Sequence, residues 1–381
     1  MSKNKKICIL SFSDIRWDCR VLREIDMARQ HYQVDVIGYG SWQPPEGVRF
    51  FSLARKMVFP PLKYLLLVAG KLCNKCFDRY FWLKPQYRQA REIIEEGEYD
   101  LVHANDWDAL PVAARARQKS GCRVLFDAHE FSLGLNRDIT LSKIHQSYRQ
   151  FLFSFYGSDV DRRITTSEGY EVLYQEYFEW TFDIVRNTPF YQESKYKPTL
   201  QDKIHLVHHG VAMPGRFLES FIKMMETADH HFYLHFYLMP TYRSYLKKLK
   251  QLAKHNSHIM FHDPVPTTLL VQELSQYDIG IPLIYVEKRS YINSLPNKFF
   301  DFIMAGLMVA SSPLPIMKKY IDDYQIGMYS VDRSPEKLAE LLNSLSTNQI
   351  NRFKKKSLKA AKVLNAEVET NKLHKIYASL A

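Results

Sequence analysis

The chain has 381 residues, 46% of them hydrophobic and 24% charged, with 14 Gly and 17 Pro. That composition excludes a disordered, collagen-like or low-complexity chain, and at about 150 residues per domain it predicts two or three domains with real cores. Lys and Arg number 52 against 41 Asp and Glu, a surplus of +11 that favours anionic partners: phosphates, nucleic acid or an acidic membrane face.

Met1 to Lys6 are mostly polar, and the apolar run Ile7-Cys8-Ile9-Leu10 is too short for a signal-peptide core. No window offers the roughly 18 uncharged apolar residues of a transmembrane helix, so a cytoplasmic protein is expected. Strands are predicted at Ile7–Phe12, Val34–Gly38, Val48–Leu53, Leu101–His103, Val124–Asp127, Arg163–Thr165 and Phe182–Val185. Helical periodicity fills most of the gaps, which predicts βα units and a parallel sheet. Open sheets of this kind bind ligands at the carboxyl ends of their strands.

Residues 55–91 interrupt the rhythm. They hold nine basic residues against the single acid Asp78, interleaved with Met57, Phe59, Leu62, Tyr64, Leu65, Leu67, Phe77, Tyr80 and Trp82. Aromatics and lysines on a helix suit an anionic lipid surface, each basic residue contributing about 1 kcal/mol. They equally suit a crossover helix whose apolar face packs on the sheet, and the two readings are compatible. The five cysteines are too few and uneven for a disulfide framework. Cys73 and Cys76 form a CxxC without the second pair a zinc site needs, so two reduced thiols on a helix are expected.

Asn187-Thr188-Pro189 closes the first series, and the polar, Pro-bounded stretch from Tyr191 to Pro198 looks like a linker. A second series follows, with strands predicted at Ile204–His208, Phe232–Leu238, Ile259–His262, Ile279–Pro282, Met308–Ser311 and Met328–Val331. The tail from Gln349 to Ala381 reads as one long helix. The expected fold class is therefore α/β, with two Rossmann-like doubly wound domains facing a cleft. Residues 1–190 form the first domain, 191–203 the linker and 204–348 the second; the helix at 349–381 is expected to return toward the first.

No GxGxxG or GxxxxGK[ST] follows a strand, so the phosphate loops of Rossmann dehydrogenases and P-loop NTPases are missing. The strongest local motif runs from Asn293 through Pro296-Asn297-Lys298 and Asp301 to Gly306 and Ser311. It predicts a polar loop, a helix N-capped by Ser294 with Pro296 in its first turn, a glycine C-cap and a strand. Such a helix start binds phosphate, and Lys298 adds a full charge. Asp301 falls one turn beyond Lys298, placed to accept from sugar hydroxyls. A second motif, His208-His209-Gly210 to Gly215-Arg216, predicts a strand end and a loop with Arg216 at a helix start, where a guanidinium can fork onto a diphosphate. Two further strand ends, His103-Ala104-Asn105-Asp106 and Asp127-Ala128-His129-Glu130, place carboxylates and a histidine at the edge of the expected cleft, or else supply helix caps.

Taken in order, these segments resemble the GT-B glycosyltransferases, and among them glycosyltransferase family 4. Further markers are Asp18-Cys19-Arg20 to Glu24, Val185-Arg186-Asn187, and Phe261 to Pro266. The resemblance implies a nucleotide-diphosphate-sugar donor on the second domain and a glycan or lipid-linked acceptor mainly on the first. It implies metal-independent transfer, mostly with retention, and no nucleic acid. By position it implies that Arg216 and Lys298 meet the diphosphate and that Asp301 replaces the usual Glu on the ribose. Gly210, Asn293, Ser294, Leu295, Asn297 and Val265 complete the donor site, while His129, Glu130 and Asp106 are the catalytic and acceptor-side candidates. Asn293 departs from the family, which commonly has Glu there, as do Met239-Pro240-Thr241 and Asp263 where glycine is common. The implied activity serves cell-surface polysaccharide or glycolipid synthesis, with an anionic membrane surface as partner through 55–91. An epimerase or hydrolase acting on a nucleotide sugar, and a non-catalytic basic membrane protein, are the alternatives.

Overall fold

The computed structural model describes residues 5–55, 60–134 and 139–381. Lys56, Met57, Val58 and Phe59 of the basic segment, and Met1 to Asn4, lie outside the described residues. The chain divides into two compact units, one of residues 1–185 with 370–381 and one of residues 186–369.

Unit 1 holds a seven-stranded sheet in the order β3-β2-β1-β4-β5-β6-β7. Its strands are β1 (Lys6–Asp14), β2 (Gln33–Tyr39), β3 (Val48–Ser52), β4 (Leu101–Asn105), β5 (Arg123–Ala128), β6 (Arg162–Thr165) and β7 (Asp183–Ile184). The helices between them are α1 (Cys19–Ala28), α2 (Pro60–Ala69), α3 (Asn74–Trp82), α4 (Pro85–Glu96), α5 (Leu110–Ser120), α6 (Ile139–Tyr156) and α7 (Glu168–Phe178). Unit 2 holds β8 (Ile204–Val211), β9 (Phe232–Met239), β10 (Ile259–His262), β11 (Ile279–Gly280), β12 (Met308–Ser311) and β13 (Gly327–Tyr329). Their order is β10-β9-β8-β11-β12-β13. Its helices are α8 (Glu219–Met224), α9 (Arg243–Ala253), α10 (Thr267–Leu274), α11 (Arg289–Ile292), α12 (Asn297–Met304), α13 (Pro315–Tyr324), α14 (Pro335–Asn343), α15 (Thr347–Ala361) and the start of α16 (Ala366–Leu380).

Every ladder in both sheets is parallel. The reason lies in the strands' composition: they are apolar on both faces, as sheets covered by helices on each side require. Cys8, Leu10, Val102, Val124 and Phe126 enter one core, and their neighbours Ile7, Ile9, Leu101 and Leu125 enter the other. Leu206, Phe236 and Ala310 against Val207, Tyr237 and Val309 repeat the pattern in unit 2. In each sheet the strand order reverses beside the first strand, between β1 and β4 and between β8 and β11. The crevice at such a reversal is where open sheets take ligands.

The tail is two helices, not the one expected. α15 starts with a reciprocal cap between Ser346 and Gln349 and ends at Ala361. The Asn365 carboxamide then accepts from the Val368 N–H at 3.0 Å and starts α16. A side chain that caps a helix competes with continuing the preceding one. Leu373, Ile376 and Tyr377 of α16 join the unit 1 core beside Ile7, Ile9 and Val21. The basic segment likewise forms three helices, α2 to α4, rather than one. No helix among the described residues is long and apolar enough to cross a membrane.

Candidate functional site

Each unit gathers polar side chains at its strand reversal. In unit 1 the centre is Asp127 at the end of β5, fully buried. Arg20 Nε, from the first turn of α1, donates to Asp127 Oδ2 at 2.6 Å and lies 3.4 Å from Glu24 Oε1. Asp18 caps that helix, accepting from the Val21 N–H at 3.2 Å, so the cap orients the arginine into the sheet. Arg20 Nη1 also donates to the Val185 carbonyl at 2.9 Å. His103 sits in β4 with its Nδ1 2.6 Å from the Tyr377 hydroxyl of α16. It is wholly buried, which corrects its expected place at a cleft edge: the apolar flanks Val102 and Ala104 carry it into the core.

His129, just beyond β5, is the partly open member. Its Nε2–H donates to Asn105 Oδ1 at 2.8 Å, and its ring nitrogens lie 3.4 Å from Asp106 Oδ2 and from Asp127 Oδ2. Burial pulls this imidazole down, but the two carboxylates outweigh it and push it up to about 10 from the ordinary 6.5. Asp127 is held well below its usual range: burial opposes this, and Arg20 and His129 prevail. Asp106 is pushed up to about 6 by its low-dielectric surroundings, against His129, although 46% of its side-chain surface remains open. Its backbone has φ +69°, a left-handed turn that aims the carboxylate back at His129. Neither Asp106 nor Asp127 caps a helix; α5 begins after Ala109. Glu130 is exposed, and its carbonyl accepts from the Tyr174 hydroxyl at 3.0 Å.

Glu24, His103 and Asp127 have ligand atoms close enough to share a metal ion. Arg20 already supplies the positive charge there, bonded to one of those carboxylates and beside the other. An ion would have to displace a buried guanidinium, so the set fits a metal poorly.

At the corresponding place in unit 2, the basic side chains Lys298 and Arg216 form no such ion pairs among the described residues. Lys298, the second residue of α12, is 5% exposed. Its Nζ lies 3.1 Å from His208 Nε2 in β8 and forms no ion pair with any carboxylate among the described residues. Gly210 makes room for it: a Cβ there would meet the ammonium at 2.9 Å, and φ of +138° demands glycine in any case. Burial, then the Arg216 guanidinium, pull Lys298 well below its ordinary range, with Asp301 opposing. The two cations therefore share one electrostatic neighbourhood. Arg216 Nε is itself buried with no hydrogen-bond partner among the described residues. Asp301 Oδ2 lies 3.3 Å from His209 Nε2.

Three local expectations need correction. Arg216 is not at a helix start; it sits in a turn, its N–H donating to the Met213 carbonyl, because Phe217 takes a left-handed φ of +52° and delays α8 to Glu219. Ser294 does not cap α12. Its hydroxyl donates to the Tyr291 carbonyl at 2.8 Å, the N-cap position falls to Pro296, and no side chain bonds the helix start. Asn293 turns back as well, donating to the Arg289 carbonyl at 2.9 Å. The other end of α12 follows expectation: Gly306 takes φ +75° just past the helix, the left-handed turn that a glycine stop supplies. Leu295 is core and Val265 packs against the same core, while Asn297 is exposed.

Residues 26–185, all within unit 1, match the family model described as "Glycosyl transferase 4-like domain". No curated protein sequence matches the chain significantly. Among solved structures it resembles a sucrose-phosphate synthase from Thermosynechococcus elongatus, with TM-score 0.72, 15% identity and 99% of each chain covered. It also resembles HepE of Anabaena, solved with UDP and glucose, with TM-score 0.70, 13% identity and 99% and 100% of the two chains covered. WaaG, a glycosyltransferase involved in lipopolysaccharide biosynthesis, aligns with TM-score 0.64 and 14% identity over 97% of this chain and 98% of its own.

Proposed function

We propose, from the match of residues 26–185 to a glycosyl transferase 4-like domain and from the GT-B fold, that the chain moves a sugar from a nucleotide-diphosphate-sugar donor to a glycan or lipid-linked acceptor. The observation that carries this reading is Lys298: among the described residues, a buried basic group with no carboxylate of its own, beside an arginine with a buried, unpartnered N–H. Burying a charge without a counter-ion is costly, so such a site is built for an anion that arrives as ligand. Cleaving a nucleotide sugar places growing negative charge on the leaving diphosphate, and fixed cations lower that barrier. The complex of the HepE relative with UDP and glucose supports the donor class.

His129, Asp106 and Glu130 then serve the sugar and acceptor. An imidazole held as a cation by two carboxylates donates hydrogen bonds and does not take protons, which suits a retaining transfer without a dedicated base. With the leaving group met by Lys298 and Arg216, the reaction is read as metal-independent.

α2 supports a peripheral place on the inner membrane face, and so a role in cell-surface polysaccharide or glycolipid synthesis. Leu67 packs inward, 1% exposed, whereas Leu62, Leu65 and Val68 of α2 are 42%, 66% and 53% exposed and Leu72, in the turn just past the helix, is 95% exposed. Exposed Lys71, Lys75 and Arg79 follow in the sequence. Exposed apolar residues with basic neighbours match anionic lipid.

Incubating the protein with UDP-glucose or GDP-mannose and membrane extract tests the reading. Nucleotide release that depends on the extract is expected, with product configuration read by NMR. Donor consumption that ignores the extract would point to a hydrolase, and no consumption of any donor would contradict transfer. Sedimentation with anionic liposomes at low salt tests the membrane contact; a protein left wholly in the supernatant removes it.

A further inference from the structure

β8 ends in two adjacent histidines with different surroundings. His209 faces Asp301, whereas His208 is 1% exposed, its ring 4.3 Å from that of Phe221. The His208 Nδ1–H donates to the Ile281 carbonyl, just past β11, at 2.8 Å. A carbonyl only accepts, so this bond fixes the proton on Nδ1 and leaves a lone pair on Nε2. That lone pair points at Lys298 Nζ, 3.1 Å away. The charged or titratable groups facing the pair are His209 on β8, Arg216 on the following loop and Asp301 on α12. At Lys298, Arg216 disfavours a positive charge and Asp301 favours one; the Asp301 carboxylate makes no ion pair with the amine and lies 3.3 Å from His209 Nε2.

We propose that burial beside the Arg216 guanidinium, with no carboxylate bonded to it among the described residues, keeps Lys298 a neutral amine in the free protein, that His208 is a positioning residue whose Nε2 accepts from that amine and fixes its place, and that the donor's diphosphate brings a proton onto the amine as it binds. The inference rests on the donor-site reading above. The proton comes from solvent and one N–H bond forms at Nζ; no other bond changes. The free site thus avoids a naked buried charge, and the full ammonium exists only when an anion is present to pair with it. Burial and Arg216 depress Lys298, and burial and Lys298 depress His208, in agreement with the geometry.

Calorimetric titration with UDP-glucose between pH 7 and 8.5, in buffers of different ionisation enthalpy, tests it. The diphosphate of that probe is a diester and does not itself titrate in this range. Uptake of about one proton per molecule bound is expected, with affinity falling by up to about tenfold per pH unit as pH rises. Lys298→Arg keeps its charge at every pH and is expected to bind without uptake; should it not fold, the wild-type stoichiometry decides alone. His208→Gln keeps an acceptor and is expected to retain both affinity and uptake. His208→Phe keeps the packing but loses the acceptor, and is expected to bind about tenfold more weakly. Tight binding with no proton exchanged overturns the inference while leaving the donor site standing, and unchanged affinity in His208→Phe overturns the role of His208. If neither UDP-glucose nor GDP-mannose binds at any pH, the donor-site reading itself fails.

Discussion

The two sheets share a strand order but end in opposite electrostatic states. In unit 1 the basic groups at the sheet's end each have an anion: Arg20 with Asp127 and Glu24, His129 with Asp106 and Asp127. In unit 2 Lys298 and Arg216 lie close enough for the guanidinium to disfavour a charge on the lysine, and neither forms an ion pair with a carboxylate among the described residues. The first arrangement is self-sufficient and rigid. The second would be completed by the diphosphate proposed above, and on that proposal unit 1 positions the sugar while unit 2 stabilises charge.

Breaking the self-sufficient side should have the largest effect. Asp127→Ala strands the buried Arg20, and a loss of about 3–5 kcal/mol in stability is expected from denaturant melts. Lys298→Met should do the reverse. It removes a buried basic group that has no counter-ion, so the free protein should melt no lower than wild type, while turnover falls about 10²-fold. A marked fall in melting temperature would show that Lys298 has an anionic partner in the free protein. Gly210→Ala forces a strained φ and crowds the Lys298 side chain, with an expected cost of about 1–3 kcal/mol and weaker donor binding.

The His129 imidazolium gives a pH signature. Its folded value lies above the unfolded one, so its stabilisation is fully present below pH 6.5 and disappears as pH rises toward about 10. Melting wild type and His129→Gln side by side should show their difference shrinking over that range; a constant gap would contradict the paired-cation picture. Leu65→Ser, at an exposed position of α2, should change stability by no more than about 0.5 kcal/mol while weakening liposome binding.

Much of this is legible in the sequence. Most of the strands fall on apolar runs bounded by polar ends, which leave few alternatives in a parallel sheet; β6 (Arg162–Thr165) and β7 (Asp183–Ile184) are the polar exceptions. Lys298 stands out at the start of a polar-loop, helix and glycine motif, and Arg216 stands out behind Gly215 in the loop that follows the strand carrying Gly210. The unit 1 network is not legible in the same way, since His103 and Tyr377 meet across 274 positions and no spacing rule spans them. A signal does exist: His103 interrupts an apolar strand, and Arg20 and Glu24 fall four apart on the buried face of α1. The helix starts near Ser294 and Arg216 escape sequence rules because the backbone turn before each helix, set by Pro296 and by Phe217, decides where the helix begins.

The most direct measurement is a UDP-glucose titration of the wild-type protein against the Arg216→Ala, Lys298→Met double variant, with folding of both verified by circular dichroism. Saturable binding to the wild type and none detectable in the variant is the predicted result. Equal affinity in the two would contradict the assignment of these basic residues to a diphosphate.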